Sequence, residues 1–401
     1  MSTPFEYRLG PANWLVTVPV EKSIAISFPG NQTQPQSTGA QSQVEQSLEA
    51  PFGFEPMRRA MTPDDHVVIV VDDELPRLAE LLSGVIGHIQ SAGVQPDAVT
   101  LLLAPEARNQ GFIDDLPDEW ADVKVEVHNP DDEKRHAYLA TTTAGRRVYL
   151  NRTLVEAEFT ILLTGRRFDP VLGMTGAANA IFPAFSNTAT RNEFQGRPPV
   201  ENPFAVATER TEAEEVAWLL GTPFLVQVIE GAGDSVQAVV SGLMNCDTEG
   251  VRVQRTCWTA TAERRADLVI ACAQGGEAAL ANALANAGRI VAPHGRIVLL
   301  ADVPPFFGEA FETLKRSPDV VAAVKSIIRE KAAGTAAAVL WAFAARAAKL
   351  IVGPNWNAKL AEELFATSLG RETDLAQLIA AASSVAVLAD AHKLYITVPS
   401  S

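Results

Sequence analysis

Residues 66–72 read His-Val-Val-Ile-Val-Val-Asp, a run of β-branched residues with no polar interruption. A strand with one wet face must alternate apolar and polar residues, so an unbroken run predicts a strand covered on both faces. Both-face burial is the property of a parallel sheet with helices packed on either side. Similar runs recur at Val99 to Ala104, Phe159 to Thr164, Phe224 to Ile229, Leu268 to Cys272 and Arg296 to Leu300. Between the first two lies a helical stripe opened by Pro76, with Leu78, Leu81, Leu82, Val85, Ile86 and Ile89 on one face and Gly93 after its end. Strand, helix and strand in repetition predict an α/β fold of doubly wound, mainly parallel sheets.

A chain of 401 residues is long enough for two such units. Shorter strands are expected at Val123 to His128, Ala238 to Ser241, Lys349 to Val352, Val385 to Ala389 and Lys393 to Val398, and helices at Glu212 to Leu220 and Glu277 to Ala287. The second α/β unit begins near Ala260, which predicts an N-terminal domain over 1–260, a C-terminal domain over 261–401 and a cleft between two Rossmann-like halves. The stretch Asn31 to Gln46, rich in Gln, Ser and Thr, reads as an exposed loop.

The formal charge of −15 argues against nucleic acid and anionic membranes, because phosphate binding needs clustered Lys and Arg. The 14-residue low-charge stretch from Ala332 to Ala345 is too short to span a bilayer and suits a buried helix. No basic start followed by an apolar run marks a secretory signal, so a cytoplasmic location is expected. Cys246, Cys257 and Cys272 form no CxxC pair and read as small core residues. No P-loop, no GxGxxG behind a strand and no GxSxG elbow is present.

Several segments, in order, resemble the nickel-dependent lactate racemase family. They are VEQSLEAPFGFEP (44–56), VVIVVDDELPR (67–77), LLLAPEAR (101–108), Val127-His128-Asn129 with Val148-Tyr149-Leu150-Asn151, GMTGAANAIFP (173–183), ADLVIACAQGG and GRIVLLADVPPFFGEAFE. The resemblance spans about residues 44–398 and implies an isomerase family whose members hold a nickel pincer nucleotide. In that chemistry a Lys links the cofactor and a His coordinates nickel. Two further His act as bases near neutral pH, and cationic side chains orient a carboxylate.

Carried onto this sequence, the resemblance places the two catalytic positions at Arg108 and Asp169 and the orienting position at Leu75. The cofactor-linking position falls on Asn179, beside the turn residues Gly173, Thr175 and Gly176, and the nickel-ligand position falls near Gln195. The second-domain Lys loop is shortened to Gln274-Gly275-Gly276. An amide cannot form the cofactor linkage, and a guanidinium is not a base at neutral pH. Covalent attachment of the nickel pincer is therefore not expected, and no metal-ligating residue is assigned.

The remaining polar residues carry paired readings. Arg108, Arg166 and Arg167 with Asp169 are either an anion-binding cluster at a strand end or a surface ion pair. Asp72-Asp73-Glu74 is either a cation or acid–base site or a solvated loop. His128 and His136 read as structural. The expected function is that of a divergent lactate racemase homologue binding a small carboxylate or a nucleotide-like ligand in the interdomain cleft. The alternatives are a non-enzymatic paralogue acting by interaction, and a nicotinamide-dependent oxidoreductase. The sequence leaves the oligomeric state open.

Overall fold

The computed structural model describes residues 4–29, 39–107, 111–175, 177–202, 204, 208–221 and 223–399. It opens with an antiparallel hairpin, β1 (Phe5–Leu9) and β2 (Trp14–Val18), followed by the short β3 (Ile26–Ser27). The apolar runs then deliver β4 (Val67–Val71), β5 (Val99–Leu103) and β6 (Lys124–Val127). A hairpin, β7 (His136–Thr141) with β8 (Arg147–Asn151), precedes β9 (Phe159–Gly165). A second, very tight hairpin pairs β10 (Phe168–Asp169) with β11 (Gly173–Met174). The first sheet is completed by β12 (Phe224–Glu230) and β13 (Val236–Gly242), in the order β13-β12-β9-β4-β5-β6. All its pairings are parallel except that of β13 with β12.

After β14 (Thr259–Ala262) a second sheet begins with β15 (Ala266–Cys272) and β16 (Val291–Leu300). It continues through β17 (Lys349–Gly353), β18 (Ala366–Ser368) and β19 (Val385–Leu388), ordered β18-β17-β16-β15-β19 and parallel throughout. A last strand, β20 (Tyr395–Thr397), lies beside β14, which also pairs with β3. The mainly parallel α/β architecture expected from the apolar runs is what the chain adopts.

The reason lies in alternate side chains. Val67, Ile69 and Val71 of β4 pack with helices Ala40–Glu49 and Leu78–Gln90, while Val68 and Val70 pack on the other face with Leu150, Leu162 and Phe182. Both faces being dry, no polar residue is tolerated along the strand. Leu81, Leu82, Ile86 and Ile89 are fully buried on the expected stripe, each stabilising the fold by about 1.5–3 kcal/mol. Gly93, at φ +95°, ends that helix where a Cβ would sit 3.0 Å from Pro63.

The second sheet is covered differently. Val269, Ala271, Ile297 and Leu299 face the helices Glu277–Ile290 and Thr335–Ala347. Leu268, Ile270, Val298 and Leu300 face Leu9, Trp14, Val16 and Val18 of the N-terminal hairpin together with the helix Glu372–Ala381. The expected partition at residue 260 is thus crossed: residues 5–27 share their core and a strand ladder with the second half of the chain. Among the described residues no helix is long and apolar enough to cross a membrane. Cys246, Cys257 and Cys272 are buried and free, as read.

Candidate functional site

Strand order locates the site before any side chain is considered. From β4 the chain steps outward to β5 and β6, then returns to β9 and β12 on the opposite side. Connections therefore leave the carboxyl ends of β4 and β9 in opposite directions, opening the crevice where α/β sheets bind ligands. The second sheet repeats the arrangement, with β16, β17 and β18 on one side of β15 and β19 on the other. The polar residues that follow these carboxyl ends meet one another.

Asp72 follows β4, Arg167 lies just beyond β9 and Glu230 ends β12. The Arg167 guanidinium donates through Nε to Glu230 Oε1 at 2.7 Å and through Nη1 to Asp72 Oδ2. Asp72 is itself held by the amides of Gly165 at 3.0 Å and Glu74 at 3.1 Å. Thr175 fixes the Arg167 backbone: its Oγ1 accepts from Arg167 N at 2.8 Å, and its own N–H donates to Arg167 O at 2.9 Å. The chain of charges continues into the second sheet. Lys393, beyond β19, places Nζ 3.2 Å from Glu230 Oε2 and donates to the carbonyls of Gly231 and Gly233 at 2.9 and 2.8 Å. Asp390 stands 3.8 Å from the same ammonium and accepts from Gly233 N at 3.3 Å. The side chains of Glu230 and Lys393 are only 10% and 8% exposed.

Electrostatics mark the same cluster. Burial would weaken the Arg167 cation, but Asp72, Glu230 and Glu74 outweigh it and hold its pKa above the ordinary value. Glu74 keeps solvent contact, yet the protein crowded around it pushes its carboxyl up; Arg167 opposes, and Asp72, Asp73 and Glu230 reinforce the rise. His392 is pushed down to about 4 by burial and then by the Lys393 charge, with Asp390 and Glu230 opposing. Two buried nitrogens here, Arg167 Nη2 and His392 Nδ1, have no hydrogen-bond partner among the described residues.

The residues expected at the site are distributed unevenly. Thr175 is in it, as the support for Arg167. Asp169 is turned onto its own hairpin, accepting from the amides of Val171 and Leu172 at 2.7 Å each; burial raises its pKa, and these two bonds oppose the rise. Gly173, at φ +78°, pairs with Asp169 and lets that hairpin close. Leu75 is 5% exposed in the first sheet's core, and Asn179 is 8% exposed in the short helical turn Ala177–Ala180. Gln195, the last residue of the helix Thr188–Gln195, faces solvent. Arg108 and Gly176 lie outside the described residues.

Arg166 and Arg167 do not converge. Arg166 is fully buried and runs the other way, to Asp247 at 2.6 Å and to Gln227. His128 and His136 are packed edge to face at 5.3 Å, and their ring nitrogens meet the backbone carbonyls of Ser186 and Asp132 at 2.9 Å each. No group of three His, Cys, Asp or Glu poised for a metal occurs among the described residues. Sequence reasoning missed Glu230, Asp390, His392 and Lys393. The signal available was positional: each is a charged or titratable residue at or just past the carboxyl end of an apolar strand.

Fold and switch-point geometry define an α/β protein of the lactate racemase type. Residues 10–194 belong to the family described as the lactate racemase N-terminal domain. The lactate racemase apoprotein from Thermoanaerobacterium thermosaccharolyticum superposes with a TM-score of 0.78 at 15% identity, covering 98% of this chain and 100% of that one. A Thermotoga maritima protein superposes at 0.66 and 11% identity, covering 92% and 100%. At such identities the likeness is one of fold. No curated protein matches.

Proposed function

We propose that this protein is a divergent lactate racemase homologue that binds a small carboxylate between its two α/β halves and does so without a covalent nickel pincer. The observation carrying this reading is the Asp72–Arg167–Glu230–Lys393 chain, which brings the two switch points together around one guanidinium. The buried Nη2 of Arg167 is the donor left for a ligand oxygen. Asp72, Glu74 and Glu230 crowd the same space, which disfavours the several charges of a nucleotide and leaves a single carboxylate the better fit.

The residues present do not fit the pincer group. Asn179 offers a buried carboxamide where the resemblance calls for an amine, and Gln195 offers a solvent-facing amide where it calls for an imidazole. Leu75 is committed to the apolar core. A nicotinamide dinucleotide is disfavoured by Glu277, in the first turn behind Gly275-Gly276. Its carboxylate, bonded to Gly308 N at 2.6 Å, stands where a pyrophosphate would approach the helix terminus.

Native mass spectrometry with metal analysis, on protein made in a host that assembles the pincer cofactor, tests the first half; nickel with an added mass would overturn it. A thermal-shift screen tests the second half. Small carboxylates are expected to raise the melting temperature while nucleotides leave it unchanged, and the effect is expected to vanish in Arg167→Lys, which keeps the charge but loses the planar fork.

A further inference from the structure

The two halves of the protein are joined on the site's side by two contacts of opposite chemistry. One is apolar. The β10–β11 hairpin inserts Phe168 and Met174 into the core of the second sheet, where Phe168 meets Phe204 and Tyr395 at 6.0 and 5.8 Å, and Asn282 binds the Phe168 carbonyl. The other is ionic. The Glu230 carboxylate divides its oxygens between Arg167 of the first half, at 2.7 Å, and Lys393 of the second, at 3.2 Å. Lys393 and Asp390 also clasp the turn between β12 and β13 through Gly231 O, Gly233 O and Gly233 N. Trp258 closes the back, donating from Nε1 to Glu230 O at 2.8 Å.

An apolar plug has no partner to exchange, whereas an ion pair does. We propose that the Glu230–Lys393 pair is a ligand-responsive latch: it holds residues 389–394 down on the β12–β13 turn, and it is released or tightened when a ligand anion competes with Glu230 for Arg167. The coupling follows from the shared carboxylate. An anion engaging the Arg167 fork weakens the hold of that fork on Glu230, and Lys393, with Nζ already fixed by two carbonyls, is the cation next in reach. The plug then serves as the pivot, because Phe168 and Arg167 are adjacent, one seated in each half.

The ligand response rests on the carboxylate-binding reading above, but the latch is testable without any ligand. Hydrogen exchange read by mass spectrometry on the ligand-free full chain is expected to quicken at least tenfold in residues 231–235 and 389–394 of Lys393→Met. Exchange in the helix Leu78–Gln90 should be unchanged. Glu230→Gln preserves shape and removes the shared charge; it should reproduce the effect and serves if Lys393→Met fails to fold. Wild-type exchange in both segments of a folded Glu230→Gln protein would overturn the latch. If the variants quicken but no small carboxylate alters wild-type exchange or melting, the latch stands and the ligand reading falls.

Discussion

His392 offers the sharpest quantitative test of the electrostatics between the two halves. Its imidazole carries a pKa of about 4 instead of 6.5, because burial and the neighbouring Lys393 ammonium both penalise the cation. A folded-state pKa below the unfolded one means that the unfolded chain binds the extra proton between these two values, so stability falls as pH drops from about 6.5 to about 4. A gap of about 2.5 pH units corresponds to about 3.4 kcal/mol in the limit, and about 2 kcal/mol of it is lost by pH 5. Solvent still reaches part of the ring and screens the effect, so about 1–2 kcal/mol is the expected loss at pH 5. His88 and His128 are also pushed down, chiefly by burial, so the wild-type slope alone is not diagnostic. The assay is urea unfolding of wild type and His392→Gln at pH 7.5 and at pH 5. The variant should lose about 1–2 kcal/mol less than wild type between the two. Equal losses in the two proteins would refute the reasoning, since the remaining titrations are common to both.

Other perturbations reach different parts of the structure. Arg166→Met leaves Asp247 and Gln227 facing an apolar side chain and should cost about 3–5 kcal/mol in denaturant unfolding, with part of the loss recovered by adding Asp247→Leu. A cost below about 1 kcal/mol would show that the pair is not structural. Burial pushes the thiols of Cys246 and Cys272 up to about 11 and about 12 and also raises that of Cys257. A thiol reagent at pH 7.5 should therefore leave the native protein unlabelled for as long as denatured protein takes to label fully; rapid native labelling counts against the packing. Gly173→Ala forces a side chain to φ +78° and should lower stability by about 1–2 kcal/mol, read as a fall in melting temperature; an unchanged value would mean that the hairpin relaxes freely.

The apolar strands were legible because burial on both faces writes itself into consecutive residues, as in Val67–Val71 and Leu268 to Cys272. The β1–β2 hairpin was not. Trp14–Val18 alternates buried and exposed residues, which is a local strand signal, but nothing local states that its inner face belongs to a sheet more than 240 residues away. Half of the site was hidden for the same reason. Asp72-Asp73-Glu74 was visible as a polar strand end, yet what makes Asp72 more than a solvated carboxylate is Arg167, and what makes Glu230 matter is Lys393, more than 160 residues further on. Spacing cannot report such pairings; strand order can, once the two switch points are recognised as neighbours. Asp169 taught the converse. A titratable residue at a strand end, beside two arginines, spends its carboxylate on its own turn.

The N-terminal hairpin also imposes an order of events on the newborn chain. Leu9, Trp14, Val16 and Val18 leave the ribosome early, but the strand faces they cover, Leu268, Ile270, Val298 and Leu300, are made late. The short β3 is stranded in the same way, its Ser27 waiting for Thr261, 234 residues downstream. Contacts of such sequence separation are slow to close, and until they do an apolar surface stays open to chaperones and to other nascent chains. The first sheet has all its strands between Val67 and Gly242 and can assemble while the second is still being synthesised. The hairpin therefore reports completion: its burial is the last step that tells a finished molecule from one still in the making.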